Sequence, residues 1–68
     1  MPKGYSRNFL VTDKKNKVRS IQSAIWLSGS KWCYEFMAEG ECYGGEGIDS
    51  SFKAEDMAFA KMKKVFNP

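Results

Sequence analysis

Residues 21–43 read IQSAIWLSGSKWCYEFMAEGECY, and two glycine turns inside this stretch decide the fold. Gly29-Ser30 lies between the apolar segments ending at Leu27 and opening at Trp32. That is the signal of a two-residue type II′ hairpin, in which glycine takes the first loop position. With Gly29 and Ser30 as the loop, Leu27 faces Trp32, Ile25 faces Tyr34 and Ser23 faces Phe36. Glu39-Gly40 offers a second turn, which sets Ala38 opposite Glu41 and Phe36 opposite Tyr43. The turns are chosen independently, yet both place Ile21, Ile25, Leu27, Trp32, Tyr34, Phe36 and Tyr43 on one face. Side chains alternate along a strand, so a slip of one residue would scatter that set. This face is the expected core.

The opposite face carries Gln22, Ala24, Trp26, Cys33, Glu35, Met37, Cys42 and Gly44. It is mixed, with an apolar centre at Trp26, Met37 and the two cysteines. The fourth strand is expected to be short, ending in the flexible run Gly44-Gly45-Glu46-Gly47. Upstream, Phe9-Leu10-Val11-Thr12 is β-prone, Asp13-Lys14-Lys15-Asn16-Lys17 has turn chemistry, and Val18 opens a second apolar stretch. A helix over residues 14–28 competes, because Val18, Ile21, Ala24, Ile25 and Ser28 also fall near a 3.6-residue period with Gly29 as a stop. Residues 1–8 are expected to be loose.

The final element is a helix over residues 51–66. Ser50 or Ser51 caps it, Glu55 and Asp56 sit near its positive end, and Lys61, Lys63 and Lys64 near its negative end. Ala54, Ala58, Met62, Val65 and Phe66 form its apolar stripe, with Phe59 on the edge. The expected fold is therefore α+β: an antiparallel β-meander of three to four strands with one C-terminal helix packed on one face. With the alternative first element it becomes αββα. Sixty-eight residues make a single domain, 1–68, burying only about 60% of the surface its unfolded chain exposes. Five Phe, three Tyr and two Trp supply much of so thin a core.

The chain lacks the usual means of catalysis. It has no histidine, the commonest general base and metal ligand. Cys33 and Cys42 have no second pair for a zinc site, and neither stands in an activating environment, so both are read as small, reduced, apolar residues. Glu35, Glu39, Glu41 and Glu46 match no calcium loop and read as solvated charge. Gly44-Gly45-Glu46-Gly47 lacks the phosphate-loop pattern, and its glutamate would repel phosphate. The chain is thus expected to be no enzyme, with no metal and no cofactor. No segment approaches the ~18 apolar residues of a membrane span. Met1-Pro2-Lys3-Gly4-Tyr5 has no apolar run behind its charge, so a cytoplasmic protein without membrane contact is expected.

Charge is distributed unevenly. Residues 1–32 sum to +6, residues 33–56 to −6 and residues 57–68 to +3. Residues Lys14, Lys15, Lys17 and Arg19 sit on the expected hairpin tip, where they could meet a phosphate backbone with Arg7 and Lys3 assisting. The acidic middle would be repelled by phosphate and suits a protein partner.

Two partial resemblances bear on this choice. The stretch from Trp32 to Phe66 resembles the second half of a double-stranded RNA-binding domain, with Gly45-Glu46-Gly47 and Ala54, Ala58 and Ala60 in similar places. That family opens its last helix with a lysine cluster; here Phe52-Lys53-Ala54-Glu55-Asp56 has one lysine followed by two acids. The same half is similar in outline to the arm-binding domains of phage integrases, whose sheet enters the major groove. The matching face here, with Gln22, Trp26, Glu35 and Met37, carries an acid and few cations. No function is carried over from either.

The expectation is a small non-enzymatic interaction protein that docks on a protein partner and modulates or inhibits it, as phage-type accessory proteins do by occlusion. Trp26, Met37, Gln22 and Glu35 are the candidate docking residues, with Trp26 as anchor. The alternative is a module binding RNA or DNA through Lys14, Lys15, Lys17 and Arg19. A second copy of the chain is a further candidate partner, because a small sheet has edges to pair.

Overall fold

Gly29 adopts φ +65° while Ser30 stays in the ordinary region, as a type II′ loop requires. At the second turn both Glu39 (φ 53°) and Gly40 (φ 77°) are left-handed, the pattern of type I′. The computed structural model describes residues 3–68. Its elements are β1 Gly4–Thr12, β2 Val18–Ser28, β3 Lys31–Ala38, β4 Glu41–Ile48 and α1 Ser51–Phe66. The strands form one antiparallel sheet in the order β1-β2-β3-β4, and α1 packs across one face. This is the expected α+β meander. The register also agrees, with Leu27 opposite Trp32, Ile25 opposite Tyr34, Ser23 opposite Phe36, and Phe36 opposite Tyr43.

The strand reading of residues 18–28 holds over the competing helix: β2 pairs on both sides, with β1 and β3, and these two hydrogen-bonded ladders outweigh the partial helical period. Two expectations are corrected. Residues 4–8, read as part of a loose start, belong to β1. There Tyr5, Arg7, Phe9 and Val11 alternate with Gly4, Ser6, Asn8 and Leu10, and Gly4 pairs with Trp26. Residues 1 and 2 lie outside the described residues. The fourth strand does not stop at the glycines. It continues to Ile48 through a β-bulge in which Glu46 and Gly47 together oppose Cys33, with Gly47 at φ +70°. The extra residue turns Ile48 onto the core face opposite Trp32, where it is buried.

The β1–β2 connection, residues 13–17, is closed by the Asp13 N–H donating to the Lys17 carbonyl at 2.9 Å, with Asn16 left-handed at φ 66°. The Asp13 carboxylate accepts the N–H groups of Lys15 and Lys17 at 2.9 and 3.0 Å, and those bonds hold its pKa below the usual carboxylate range.

The core lies between sheet and helix. Phe9, Val11, Ile25, Tyr34, Phe36, Ala38 and Ile48 meet Ala54, Ala58, Met62 and Phe66. Phe9 stacks on Phe59, and Phe36 lies between Tyr34 and Tyr43. Ser23 is fully buried at the sheet centre, its hydroxyl donating to the Glu35 carbonyl at 3.2 Å. Small residues there and at 54 and 58 let the helix lie close. Ser50 is the N-cap, accepting the Lys53 N–H at 3.1 Å, and Asn67 closes the other end by donating its N–H to the Lys63 carbonyl.

Glu55 departs from its expected role of complementing the helix dipole. It is buried, accepting from the Tyr5 hydroxyl and pairing with Arg7. The hydrogen bond from Tyr5, with Arg7 beside it, holds this carboxyl below its ordinary value although burial pushes the other way. The start of the helix is thereby tied to β1.

Candidate functional site: the open sheet face and the basic end

The helix covers one face of the sheet and leaves the other open, and the strand register arranges that open face in rows. One row runs Gly4, Trp26, Cys33; the next Ser6, Ala24, Glu35, Gly44; beyond it Asn8 beside Gln22 on one side of the sheet and Met37 beside Cys42 on the other. Leu10 beside Ser20 and Thr12 beside Val18 complete it toward the β1–β2 loop. The expected docking residues therefore share one surface. Trp26 is half-buried, Gln22 and Glu35 are exposed, and Met37 is 68% exposed. Leu10 matches Met37 at 68%, and Val18 is nearly as open.

The size pattern across these rows gives the face its shape. Trp26 stands between Gly4 and Cys33, and a Cβ on Gly4 would come within 3.0 Å of the Trp26 Cβ, so a larger residue there would crowd the tryptophan. Glu35 is flanked by Ala24 and Gly44, leaving its carboxylate above a floor of small residues. Two shallow hollows result. One of about 280 Å³ is lined by Trp26, Cys33, Glu35, Gly44 and Glu46 among others. The second, about 390 Å³, is lined by residues including Ser6, Gln22, Ala24, Glu35 and Met37. Partial desolvation and the charge of Glu35 push the Cys42 thiol up, so it stays protonated at neutral pH. Cys33 is buried, and both cysteines are free.

The open face is larger than the sequence reading had it, because β1 contributes Ser6, Asn8 and Leu10. The signal for β1 was present as alternation in size: Tyr5, Arg7, Phe9 and Val11 are bulky, and Gly4, Ser6 and Asn8 between them are small.

The cations divide differently from their order in the chain. Lys14, Lys15 and Lys17 are exposed on the β1–β2 loop, as expected. Arg19 is adjacent but engaged: its guanidinium reaches Asp13 at 3.5 Å and Glu39 at 3.7 Å and lies 5.0 Å over the Phe66 ring. Arg7 and Lys3 do not join this group. β1 runs away from the loop at ~3.3 Å per residue, which puts Arg7 roughly 20 Å off, where Glu55 holds it. Lys3 lies further still, its carbonyl accepting the Leu27 N–H at 2.8 Å. What joins the loop is the end of α1. The Lys14 N–H donates to the Phe66 carbonyl at 3.2 Å, bringing Lys63 and Lys64 to the same end of the molecule. The sequence reading gave those lysines only a role against the helix dipole, because their distance along the chain concealed their neighbours.

Among the described residues no three metal-binding side chains cluster, and no helix is long and apolar enough to cross a membrane. Comparisons with family models, curated proteins and solved structures found no match to this chain.

Proposed function

We propose that this chain is a small non-enzymatic interaction protein that docks through its open sheet face on a protein partner and modulates it by occlusion. The observation that carries this reading is the position of β1. It extends the sheet sideways instead of folding over Trp26, so a four-stranded face stays uncovered, with Trp26, Met37 and Leu10 around Glu35. Tryptophan in a recess among small residues is the usual anchor of a protein interface.

The charge on this face specifies the partner's chemistry. Glu35 is the only ionisable side chain in the row with Ser6, Ala24 and Gly44, and no cation shares its row or the one holding Met37. The complementary surface is apolar with a central lysine or arginine reaching Glu35. A phosphate backbone would be repelled there.

The test is capture of the partner from the native host with nuclease present, followed by charge exchange. Trp26→Ala should weaken the purified complex at least about 30-fold, the size of a hot-spot loss near 2 kcal/mol. Glu35→Arg should abolish it, and an acidic substitution of the partner's central cation should restore it. Affinity unchanged in both variants would refute the docking face.

A further inference from the structure

The +3 net charge of the chain is concentrated at one end of the fold. The end formed by the β1–β2 loop, the β3–β4 turn and the last turns of α1 holds seven of the chain's eleven cations and three of its eight carboxylates. The rest of the molecule carries four cations against five acids and is slightly negative. This end terminates a body 39 Å long and 19 Å across.

The three carboxylates at the basic end are occupied. Asp13 caps its own loop and meets Arg19, Glu39 also reaches Arg19, and Glu41 accepts from the Tyr43 hydroxyl at 3.2 Å. Lys14, Lys15, Lys17, Lys63 and Lys64 are all exposed, and among the described residues none forms an ion pair. They come from segments some fifty residues apart in the chain, held together by the Lys14–Phe66 hydrogen bond and by Arg19 over the Phe66 ring. A groove of about 340 Å³ between β1 and the helix end, lined by Thr12, Lys63 and Asn67 among others, runs into the cluster. Like charges gathered at one end repel one another, and a polyanion relieves that repulsion.

We infer that this end binds the phosphate backbone of duplex nucleic acid. Lysines are point charges suited to phosphates, and Arg19, the one arginine at this end, is engaged by Asp13 and Glu39, so sequence-independent backbone binding is the expectation. A duplex is favoured over a single strand because the basic end offers no fully exposed ring as a stacking platform. Phe66 is buried under Arg19, and Tyr43 and Phe59 are half-buried with Lys61 and Lys63 over their rings. The exposed aromatics, Tyr5 and Phe52, are near the opposite end. Single-strand binders rely on such exposed rings. The lysine cluster adjoins the open face at Leu10 and Thr12 but lies away from Trp26 and Glu35, and the inference does not depend on the docking reading.

The test is fluorescence anisotropy with a labelled 20-base-pair DNA duplex, a matching RNA duplex and a 20-nucleotide single strand, each titrated across a series of salt concentrations. Five lysines set an upper bound of about −4.5 on the slope of log affinity against log salt for the DNA duplex. Lys14→Gln/Lys15→Gln/Lys17→Gln should reduce that slope by about 2.7, and Lys63→Gln/Lys64→Gln by about 1.8. Lys53→Gln, toward the other end, should leave it unchanged, as should Trp26→Ala, which separates this site from the docking face. Comparable DNA and RNA duplex affinities are expected from backbone contact, and a preference for one identifies which duplex the cluster fits. No binding at low salt, single-strand binding as tight as duplex, or an equal loss in Lys53→Gln would each overturn the inference. Should the triple variant not fold, the double variant and the wild-type slope decide the matter.

Discussion

Tyr34 lies against Gly45 across the β3–β4 ladder, and a Cβ added to Gly45 would come within 2.6 Å of the ring's Cε2. The ring fills the space a side chain would occupy, so this glycine is required by packing and not by its backbone angles. Gly45→Ala should cost roughly 1–3 kcal/mol, the usual penalty of overpacking, measured by urea unfolding. The same substitution in a Tyr34→Leu background should cost much less, and an undiminished cost there would locate the strain elsewhere. In the sequence Gly44, Gly45 and Gly47 look alike, and all three suggest a flexible run. In the fold they differ. Gly44 sits on the open face beside Glu35, Gly45 receives Tyr34, and Gly47 takes the positive φ of the bulge. Those roles were illegible because each depends on what the neighbouring strand presents, and glycine carries no side chain to advertise its face.

At the level of elements, β1 and α1 are joined by Tyr5, Arg7 and Glu55, three residues that local patterning could not bring together. Their sequence neighbours gave other readings: a loose start for the first two and a dipole partner for the third. Each is polar, and polar residues reveal a partner only when the partner's position is known. Glu55→Gln should destabilise the fold by about 1–3 kcal/mol at neutral pH, because Arg7 loses its counter-charge and a charged acceptor is lost to Tyr5. The pH dependence follows from the sign of the shift. Glu55 has its pKa lowered in the folded state, so its contribution is complete above the ordinary glutamate value of 4.5 and is lost as pH falls through the folded value. The stability gap between wild type and Glu55→Gln should therefore be constant from neutrality to about pH 5 and close below it. Chemical denaturation across that range checks this, and a gap that persists unchanged at pH 2 would deny Glu55 its role. The turns of the β2–β3 and β3–β4 hairpins, by contrast, were legible. Gly29-Ser30 and Glu39-Gly40 fix their own registers, and the shared aromatic face provides an internal check.

For the whole molecule, sequence order and spatial order diverge most in the distribution of charge. A chain read as basic, acidic and basic again folds into a body with one strongly basic end, because a meander returns its odd-numbered turns to the same side and the closing helix ends there too. The docking residues were legible as one face because all four lie within the single β2–β3 hairpin. The basic end was only half legible because its other half is fifty residues away. The two outer strands are also unequal. β1 is nine residues of regular strand without proline or bulge, whereas β4 is broken by the Glu46-Gly47 bulge, which bends its outer margin out of line. In the language of polymers the molecule would act as a monofunctional monomer were it to associate by strand addition, with β1 the longer regular margin and β4 the interrupted one. Pairing of β1 with a second β1 would then use up that margin in each copy, and association would stop at two. Sedimentation at high protein concentration should accordingly show no species above the dimer, and a ladder of higher oligomers would mean that β4 propagates.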